Sequence, residues 1–372
     1  MKYYILAGEA SGDLHGANLM KALLQEDPEA DFRFWGGDLM QAVGGTLVSH
    51  YKERAFMGFT VILLNLFKIL GFIRSCKKDI VAYEPDALIF IDNSGFNLRI
   101  AKWAKPKGYH THYYISPQVW ASRASRVHTI KATIDHTYVI LPFVKGFYEK
   151  YDYPVDFVGH PLLDAIADRQ QVNPTAFAQE FGLDDRPIIA LLPGSRKQEI
   201  TNMLAVMLRM VTDYTQYQFV IAGAPSQEAS FYDAFIQTDQ VKLIMNRTYD
   251  ILSLATAALV TSGTATLETA LFKVPQVVCY KGGWISYEIA KRIIKLDYIS
   301  LVNLIMDKAV VTELIQKEFN PVRLKKAFDH ILDEQHRAVL FSDYHELEQR
   351  LGGKGASKKT AQLIRSRTDS YR

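Results

Sequence analysis

Short apolar segments alternate with longer mixed segments over most of this chain, and this alternation constrains the fold more than any other feature. Strand-like runs such as KYYILA at 2–7 and ALIFID at 87–92 are separated by helical stretches such as GANLMKALLQE at 16–26. Parallel strands need crossover connections that are usually helices, so the pattern indicates an α/β protein with a parallel sheet covered by helices. The predicted strands are 2–7, 32–36, 87–92, 110–115, 136–141, 155–159, 187–194, 217–223, 241–246, 257–263 and 275–280.

The alternation pauses at 160–185, where the chain is helical and polar without a strong strand, and then resumes with PIIALLPG. A chain of 372 residues exceeds one hydrophobic core of ordinary size, so two domains are expected. We predict two doubly wound, Rossmann-like domains that face a cleft, over 1–165 and 166–345. Residues 346–372 are expected to form a helical tail, with a helix capped by Ser357, that packs back on the N-terminal domain.

Composition argues against several classes of protein. The net charge of +3 is too small to suggest a nucleic-acid partner. Cys76 and Cys279 lie far apart and in no metal-type spacing, which favours a reducing compartment over a disulfide framework. His110 and His112 alternate along a predicted strand, but no carboxylate partner is evident nearby, so no metal site is expected there. The first residues, MKYYILAGEASGD, do not have the pattern of a signal peptide.

One stretch, FMGFTVILLNLFKILGFIRSCKK, is unusually apolar. Ten of the thirteen residues from Val61 to Ile73 are large and apolar, and Arg74, Lys77 and Lys78 follow directly. This run is shorter than the about 20 apolar residues that a membrane span requires. Two interpretations stay open. The stretch is either a buried helix of the first domain or a helix that inserts shallowly into anionic lipid, with its basic residues at the headgroups.

In open parallel sheets ligands bind beyond the carboxyl ends of the strands, so the loops after the strands hold the candidate site residues. In GEASGDLHG, Ser11 and Asp13 either cap the next helix or line a cleft. Asp92 follows an apolar strand, where it suits a general base or, equally, a helix cap. Arg123 and Arg126 share a helix face, which suits either binding of one phosphate or a solvated basic surface.

Two loops in the C-terminal half suit phosphate groups. In LLPGSRKQEI, Gly194 and Ser195 offer backbone N–H groups and Arg196 offers a fork of donors, directly after a buried strand. Together these groups suit a diphosphate.

The second loop, VTSGTATLETA, runs from a strand through Ser262, Gly263 and Thr264 into a helix, whose first N–H groups are unpaired and attract anions. Glu268 lies one helical turn further on, where it can accept hydrogen bonds from two ribose hydroxyls or act only as a partner of the helix dipole. The pair of loops is a sharper signal than either loop alone, because it places two phosphate-type sites in one half of the chain.

These stretches together resemble lipid-A-disaccharide synthase, an inverting glycosyltransferase family of bacterial outer-membrane assembly. The matching segments run in order from Ala7 to Gln316 and include AGEASGDLHGA, YYISPQVWA, VGHPLLDA, LLPGSRKQEI, SGTATLE and AKRIIKLDYISLVNLI. The resemblance implies the two-domain glycosyltransferase-B fold. It also implies the reaction of lipid A biosynthesis in which UDP-2,3-diacylglucosamine and 2,3-diacylglucosamine 1-phosphate (lipid X) give a β-1,6-linked disaccharide 1-phosphate and UDP.

The resemblance also assigns roles to residues. Asp92 aligns with the family's essential aspartate, the implied base, while Arg196, Glu268, Asn303 and Gln316 align with the UDP site. The further candidates are Gly194, Ser195, Ser262, Gly263 and Thr264 for the donor, Ser11, Asp13, Asn97, Arg123 and His160 for the acceptor or cleft, and Leu63, Leu66, Phe67 and Leu70 for lipid.

Three positions depart from the family's pattern. Gly95 stands where Asp is frequent, Val61 where Glu is usual, and Val302 where Pro is common. Gly95 removes one partner from a scheme of paired carboxylates, so Asp92 is expected to act without that neighbour. None of the three replaces Asp92 or a residue of the implied UDP site, so the expected activity is unchanged.

The resemblance further implies an N-terminal domain for acceptor and lipid, and a C-terminal domain for the UDP-sugar. We expect no cofactor and no bound metal, since no suitable carboxylate cluster occurs in the sequence. The expected location is peripheral, on the cytoplasmic face of the inner membrane, with no nucleic-acid partner and with a homodimer as an open option. Two alternatives remain: an enzyme similar to UDP-N-acetylglucosamine 2-epimerase, which has no use for the apolar stretch, and a silent UDP-sugar or lipid binder, which needs no base at Asp92.

Overall fold

The structure, a computed structural model, describes residues 1–54, 66–120, 124–282 and 297–371. The chain divides into two compact units, one formed by Met1–Asp164 with Leu351–Arg372 and the other by Ala165–Arg350. The expected boundaries were 165/166 and 345/346. The first boundary lies one residue earlier, and the second lies five residues later because the helix Glu334–Arg350 belongs as a whole to the second unit.

The first unit contains a parallel sheet of seven strands within the described residues. The strands are β1 Lys2–Ala7, β2 Asp31–Gly36, β3 Thr46–His50, β4 Ala87–Ile91, β5 Thr111–Tyr114, β6 His136–Val139 and β7 Asp156–Phe157. Their spatial order is β3-β2-β1-β4-β5-β6-β7. All five residues of the central strand β4 are buried, which is why ALIFI is continuously apolar rather than alternating.

Helices and short 3-10 turns connect these strands. The helices are Ala10–Glu26, Asp38–Val43, Leu66–Tyr83, Ser94–Ala104, Arg126–Thr133, Pro142–Glu149, Leu162–Ala167 and Ala356–Tyr371, and the 3-10 turns are Tyr51–Arg54 and Lys105–Lys107. The last helix packs against Ala10–Glu26 and adds Ala361 and Ile364 to the core of this unit.

The predicted cap of that last helix is wrong. The helix begins at Ala356, so Ser357 already lies inside its first turn. The carboxylate of Asp164 caps the helix instead, because it accepts the N–H groups of Gly355 at 2.6 Å and of Ser357 at 3.4 Å.

The second unit contains a parallel sheet of six strands, again counted over the described residues. The strands are β8 Ile188–Leu192, β9 Gln218–Gly223, β10 Val241–Met245, β11 Ala255–Thr261, β12 Gln276–Tyr280 and β13 Thr312–Ile315, in the spatial order β10-β9-β8-β11-β12-β13. Alternate residues of β8 enter the cores on opposite faces of the sheet, Ile189 and Leu191 on one side and Ile188 and Ala190 on the other. Each face is therefore covered.

Helices cover both faces of this second sheet. They are Pro174–Phe181, Lys197–Met207, Thr248–Leu254, Thr264–Leu271, Leu301–Met306, Pro321–Leu332 and Glu334–Arg350, with 3-10 turns at Leu208–Met210, Ala229–Phe235 and Gln316–Glu318.

The predicted α/β class with two parallel-sheet domains is confirmed. Sequence analysis missed β3 and β13, which are both outermost strands and are short, partly polar and only partly buried. Of the apolar stretch at 61–73, the structure describes the part from Leu66 onward, so Leu63 lies outside the described residues. Among the helices that the structure describes, none is both long enough and apolar enough to span a bilayer.

Candidate active site

Each sheet has one point at which the order of its strands reverses, between β1 and β4 in the first unit and between β8 and β11 in the second. Ligands of open α/β sheets bind beyond the carboxyl ends of the strands at such points. The segments that follow these four strands, each a loop or the first turn of the next helix, carry Ser11, Asp92, Arg196 and Thr264, respectively. Sequence-predicted residues of each half are therefore brought together at the switch point of their own sheet.

The turn after β4 is strained. Two residues, Asp92 and Asn93, join β4 to the next helix, and both have left-handed backbones with φ of 44° and 41°. A non-glycine residue in this region costs about 1–3 kcal/mol and persists only where its surroundings hold it. Here the Tyr113 hydroxyl donates to the Asp92 carbonyl oxygen at 2.7 Å. The Asn97 amide donates to the same oxygen at 2.9 Å.

Asn97 acts as a support for this turn and is not exposed to a cleft. Its side chain is buried, and besides Asp92 it donates to the carbonyl oxygens of Leu6 at 3.3 Å and Ile91 at 3.1 Å. These bonds join the carboxyl ends of β1 and β4. Asn97 was expected to contact the acceptor or line the cleft. Its hydrogen bonds instead position the Asp92 turn.

The carboxyl group of Asp92 has a raised pKa. Burial is the main cause, the nearby carboxylate of Glu9 raises the pKa further, and the N–H of Asn93 opposes both effects by donating to the carboxylate. Sequence analysis missed Glu9, which precedes the helix after β1. Only the pairing of β1 with β4 places it beside Asp92. A Cβ at Gly8 would lie 1.8 Å from the side-chain Nδ2 of Asn93 and 2.8 Å from its Cβ, so a larger residue there would displace the Asn93 side chain.

Asp13 was expected either to cap the helix Ala10–Glu26 or to line a cleft, and the structure shows neither role. Its buried carboxylate accepts the N–H groups of Gly37 at 2.7 Å, Leu39 at 3.0 Å and Met40 at 3.1 Å. It thus caps the helix Asp38–Val43 from a different part of the chain. Ser11, by contrast, is exposed in the first turn of its own helix.

His160 is buried and lies against Leu351 at the start of the C-terminal segment of the first unit. The imidazole Nδ1 accepts the N–H of Leu162 at 3.2 Å. The main-chain N–H of His160 donates to the carbonyl oxygen of Leu351 at 3.1 Å. Burial lowers its pKa to about 3, with a smaller contribution from His15. The imidazole is neutral near pH 7 and is held by main-chain contacts.

A cation lies close to the Asp92 turn. The Arg126 guanidinium donates to the hydroxyl of Ser94, the first residue of the helix after Asp92, at 2.6 Å. The predicted partner of this arginine, Arg123, lies outside the described residues.

A cavity of about 420 Å³ lies at the switch point of the second sheet. It is lined by Leu192, Gly194, Ser195, Arg196, Glu199, Ala222, Ala224, Pro225, Thr248, Thr261, Ser262, Gly263, Thr264, Ala265 and Glu268. Seven of the nine residues predicted for the donor line this cavity, and the other two are Asn303 and Gln316.

The Gly194–Arg196 loop forms one wall of the cavity. Gly194 has a φ of +101°, and a Cβ there would lie 2.2 Å from the Glu199 carboxylate, so glycine is required. That carboxylate accepts the N–H of Ser195 at 3.0 Å, which corrects the expectation that this N–H is free for phosphate. Arg196 is exposed at the N-cap of the helix Lys197–Met207 and is the cationic group of this wall.

The loop after β11 forms another wall. Glu268 lies in the helix Thr264–Leu271, and its Oε1 accepts the Tyr249 hydroxyl at 2.8 Å. Burial raises the pKa of Glu268, while the bond from Tyr249 opposes the rise. Ser262 donates its hydroxyl to the carbonyl oxygen of Ile299 at 3.1 Å, which ties this loop to the segment before Leu301.

Asn303 is buried behind this wall and does not line the cavity. Its amide group donates to Glu313 and to the carbonyl oxygen of Val311, both at 2.9 Å, and accepts the N–H groups of Val310 and Val311. Glu313 also accepts the N–H of Ile299 at 2.9 Å. Asn303 therefore supports the Ser262 loop through Glu313.

Gln316 follows β13 with a left-handed φ of 53°. Its Nε2 is buried and has no hydrogen-bond partner in the part of the chain that the structure describes. A strained residue with a vacant donor at the carboxyl edge of a sheet is a ligand-binding candidate. Over the same residues, no group of three or more His, Cys, Asp or Glu side chains is placed to hold a metal ion.

Comparison with solved structures shows the fold. The UDP-GlcNAc 2-epimerase from Neisseria meningitidis bound to UDP-GlcNAc superposes with a TM-score of 0.72 at 13% identity, over 98% of this chain and 100% of that one. A glycotransferase of kitacinnamycin gives a TM-score of 0.65 at 12% identity, over 99% and 98%. These neighbours have the glycosyltransferase-B fold, and at such low identity they show nothing of the reaction.

Sequence comparison shows the family. The model of the family described as lipid-A-disaccharide synthetase matches residues 3–366. The lipid-A-disaccharide synthase of Syntrophus aciditrophicus is 40% identical over 366 residues, covering 96% of this chain and 95% of the relative. That of Geobacter metallireducens is 37% identical over 368 residues, covering 97% and 95%. The chain therefore belongs to the lipid-A-disaccharide synthetase family, the glycosyltransferases that form the lipid A disaccharide.

Proposed function

We propose that this protein transfers the diacylglucosaminyl group of UDP-2,3-diacylglucosamine to the 6-hydroxyl of lipid X, with Asp92 as the general base. The acceptor oxygen forms a bond to the anomeric carbon, the bond from that carbon to the diphosphate breaks, and UDP leaves with the electron pair. The hydroxyl proton passes to Asp92. The strained, desolvated Asp92 turn at the switch point of the first sheet is the observation that carries this assignment.

The raised pKa of Asp92 suits this role. An aspartate with an ordinary pKa near 3.9 is a weak base toward an alcohol. Burial and the Glu9 carboxylate raise the proton affinity of Asp92, and proton transfer becomes more favourable as the pKa of the base rises. Bond formation acidifies the acceptor hydroxyl, so the transfer occurs late.

The cavity of the second unit supports the assignment of the donor. Arg196 and the first N–H groups of the helix Thr264–Leu271 suit the diphosphate, whose charge increases as UDP leaves. Glu268 is oriented by Tyr249 and can accept ribose hydroxyls. Gln316 does not line this cavity, but its unpaired Nε2 after β13 is proposed as a further donor to the ligand.

The decisive test measures UDP release and product mass with both diacylated sugars present. A disaccharide 1-phosphate that forms with UDP, and only with both sugars, supports the proposal. Asp92→Asn should abolish turnover and leave UDP affinity unchanged, because asparagine tolerates the left-handed backbone and only the base is lost. Asp152→Asn is the matched control, since Asp152 also has a left-handed φ, 51°, and is exposed elsewhere in the same unit.

Other outcomes would favour the alternatives. Conversion of UDP-N-acetylglucosamine without an acceptor would indicate an epimerase. Saturable UDP binding without any product would indicate a silent binder. Full turnover by Asp92→Asn would reject Asp92 as the base while leaving the reaction itself intact.

The exposed face of the helix Leu66–Tyr83 is proposed to contact the membrane surface. Phe67 is 87% exposed and Leu70 is 41% exposed. With 100° per residue, both fall on the same side of the helix as the exposed Arg74 and Lys78. Apolar side chains next to basic ones suit shallow insertion at anionic lipid, where each basic residue contributes about 1 kcal/mol.

The opposite face of this helix is part of the core, because Ile73, Cys76 and Ile80 are buried. In this proposal, the two sequence-based interpretations apply to different faces of this helix, one buried in the core and one in contact with lipid. Two acylated substrates and this face support a peripheral location at the cytoplasmic face of the inner membrane.

A further inference from the structure

Thr261 has an unused hydroxyl group in the wall of the donor cavity. It is the last residue of β11 and lines the cavity together with Gly194 and Ser195 of the opposite loop. The residue is only 4% exposed, and its Oγ1 is buried without a hydrogen-bond partner in the part of the chain that the structure describes. Sequence analysis treated Thr261 as an ordinary strand residue of VTSG.

A buried hydroxyl without a partner lowers folding stability, because it loses its bonds to water and gains none in exchange. Valine has nearly the same shape and β-branching and avoids this loss, so a role in the strand alone does not explain a threonine here. The hydroxyl can serve as one donor and as an acceptor. A rotation of the side chain about χ1 moves the hydroxyl to another staggered position without moving the strand.

The neighbourhood of Thr261 suits an anion. A helix begins three residues later at Thr264, with Gly263 as its N-cap, and its first N–H groups carry the positive end of its dipole. Arg196 lines the same cavity with its cationic side chain. The Glu199 carboxylate already accepts the N–H of Ser195. The Gly194–Arg196 wall therefore has one donor fewer for a diphosphate than its sequence indicates.

We propose that the Thr261 hydroxyl donates a hydrogen bond to the diphosphate of a nucleoside diphosphate bound in this cavity. The inference rests on the proposed function for the identity of the donor site, but it requires only nucleotide binding and no turnover. Thr261 is thus a binding residue for the leaving group and completes the set of donors formed by Arg196 and the helix that starts at Thr264.

The test compares Thr261→Val, which removes only the hydroxyl, with Thr261→Ser, which keeps it. Calorimetric titration of the full chain with UDP should show 10- to 100-fold weaker binding for the valine variant, the loss of one hydrogen bond to a charged group. The serine variant should bind UDP nearly as wild type does. Uridine, which has no phosphate, should bind both variants and wild type equally.

The melting temperature of the nucleotide-free protein is the second readout. Thr261→Val should melt at or above the wild-type temperature, because valine removes an unpaired buried hydroxyl. Local unfolding would lower both the affinity for UDP and the melting temperature. Weaker UDP binding with an unchanged or higher melting temperature therefore cannot come from local unfolding.

Two results would overturn the proposal. One is wild-type UDP affinity in Thr261→Val. The other is an equal loss of UDP and uridine affinity together with a lower melting temperature, since Thr261 would then have a structural role. Wild-type protein that binds UDP but forms no disaccharide would reject the proposed reaction and leave the Thr261 assignment standing on the nucleotide data.

Discussion

Replacing His15 by leucine should make the first unit less sensitive to acid. His15 lies in the helix Ala10–Glu26, and its Nδ1 is buried without a hydrogen-bond partner among the described residues. Burial lowers its pKa from 6.5 to about 4. The folded protein therefore keeps this imidazole neutral over a pH range in which the unfolded chain binds a proton.

The sign and size of the effect follow from this difference in pKa. Well above pH 6.5, as at pH 8, neither state is protonated to a significant extent, and His15 contributes little pH dependence. As the pH falls from 6.5 toward 4, the unfolded state gains a proton that the folded state does not, so the free energy of unfolding decreases. At pH 5 this loss amounts to about 2 kcal/mol relative to pH 8.

Leucine has no proton to gain, so His15→Leu should reduce the loss of stability between pH 8 and pH 5 by up to about 2 kcal/mol. The figure is an upper bound, because the His15 ring is only partly buried. The neighbouring His160 has a pKa of about 3 and stays neutral when folded at pH 5 in both proteins, so its contribution cancels. At pH 8 the variant should be at least as stable as wild type, because an unpaired buried nitrogen is removed.

Urea denaturation at pH 8 and pH 5, followed by tryptophan fluorescence, measures this difference. Three of the four tryptophans, Trp35, Trp103 and Trp120, belong to the first unit, so the signal reports mainly on it. His128→Leu is the control, since His128 is exposed in the same unit and should leave the wild-type pH dependence in place. An identical loss of stability in His15→Leu and wild type would refute the reasoning.

Two further predictions concern Asp13 and the exposed helix face. Asp13→Asn leaves only one side-chain oxygen to accept the three N–H groups that the carboxylate now binds. The free energy of unfolding should therefore fall by about 2 kcal/mol in the same urea assay. Unchanged stability would reject the capping role. Phe67→Ser combined with Leu70→Ser should weaken binding to vesicles that contain anionic lipid without lowering the melting temperature, whereas Ile73→Ser should lower it, because Ile73 is buried. A lower melting temperature with unchanged vesicle binding in the double variant would assign that face to the core.

The strands of both sheets could be predicted where they are buried. β1 was predicted with the bounds that the structure has, and β9 and β12 within one residue. The edge strands β3 and β13 were missed, because a strand with a solvated side needs no continuous apolar run. The predicted strand at 87–92 extended one residue too far, since Asp92 leaves the extended region for the left-handed turn.

In the candidate site too, local features of the sequence were predicted and contacts between distant segments were not. Motifs contiguous in sequence, such as Gly194–Arg196 and Ser262–Thr264, were predicted as phosphate-binding loops, and the structure places them around one cavity. Contacts between distant segments were not predicted: Glu9 beside Asp92, Asp13 on the helix Asp38–Val43, and Tyr249 on Glu268. Asn303 was predicted to bind the donor and His160 to line the cleft, but the side chains of both form hydrogen bonds to the main chain of the protein itself.

By itself, the sequence determined the α/β class, the loops that carry the chemistry and the family, because periodicity, glycine turns and motifs are local properties that the chain expresses along its length. Only the tertiary structure decided which of those side chains are available to a ligand and which are already bound. Burial, charge and hydrogen bonding depend on partners that are distant in the chain. The pairing of β1 with β4 joins Glu9 to Asp92, and the adjacency of β8 and β11 forms the cavity that Thr261 lines.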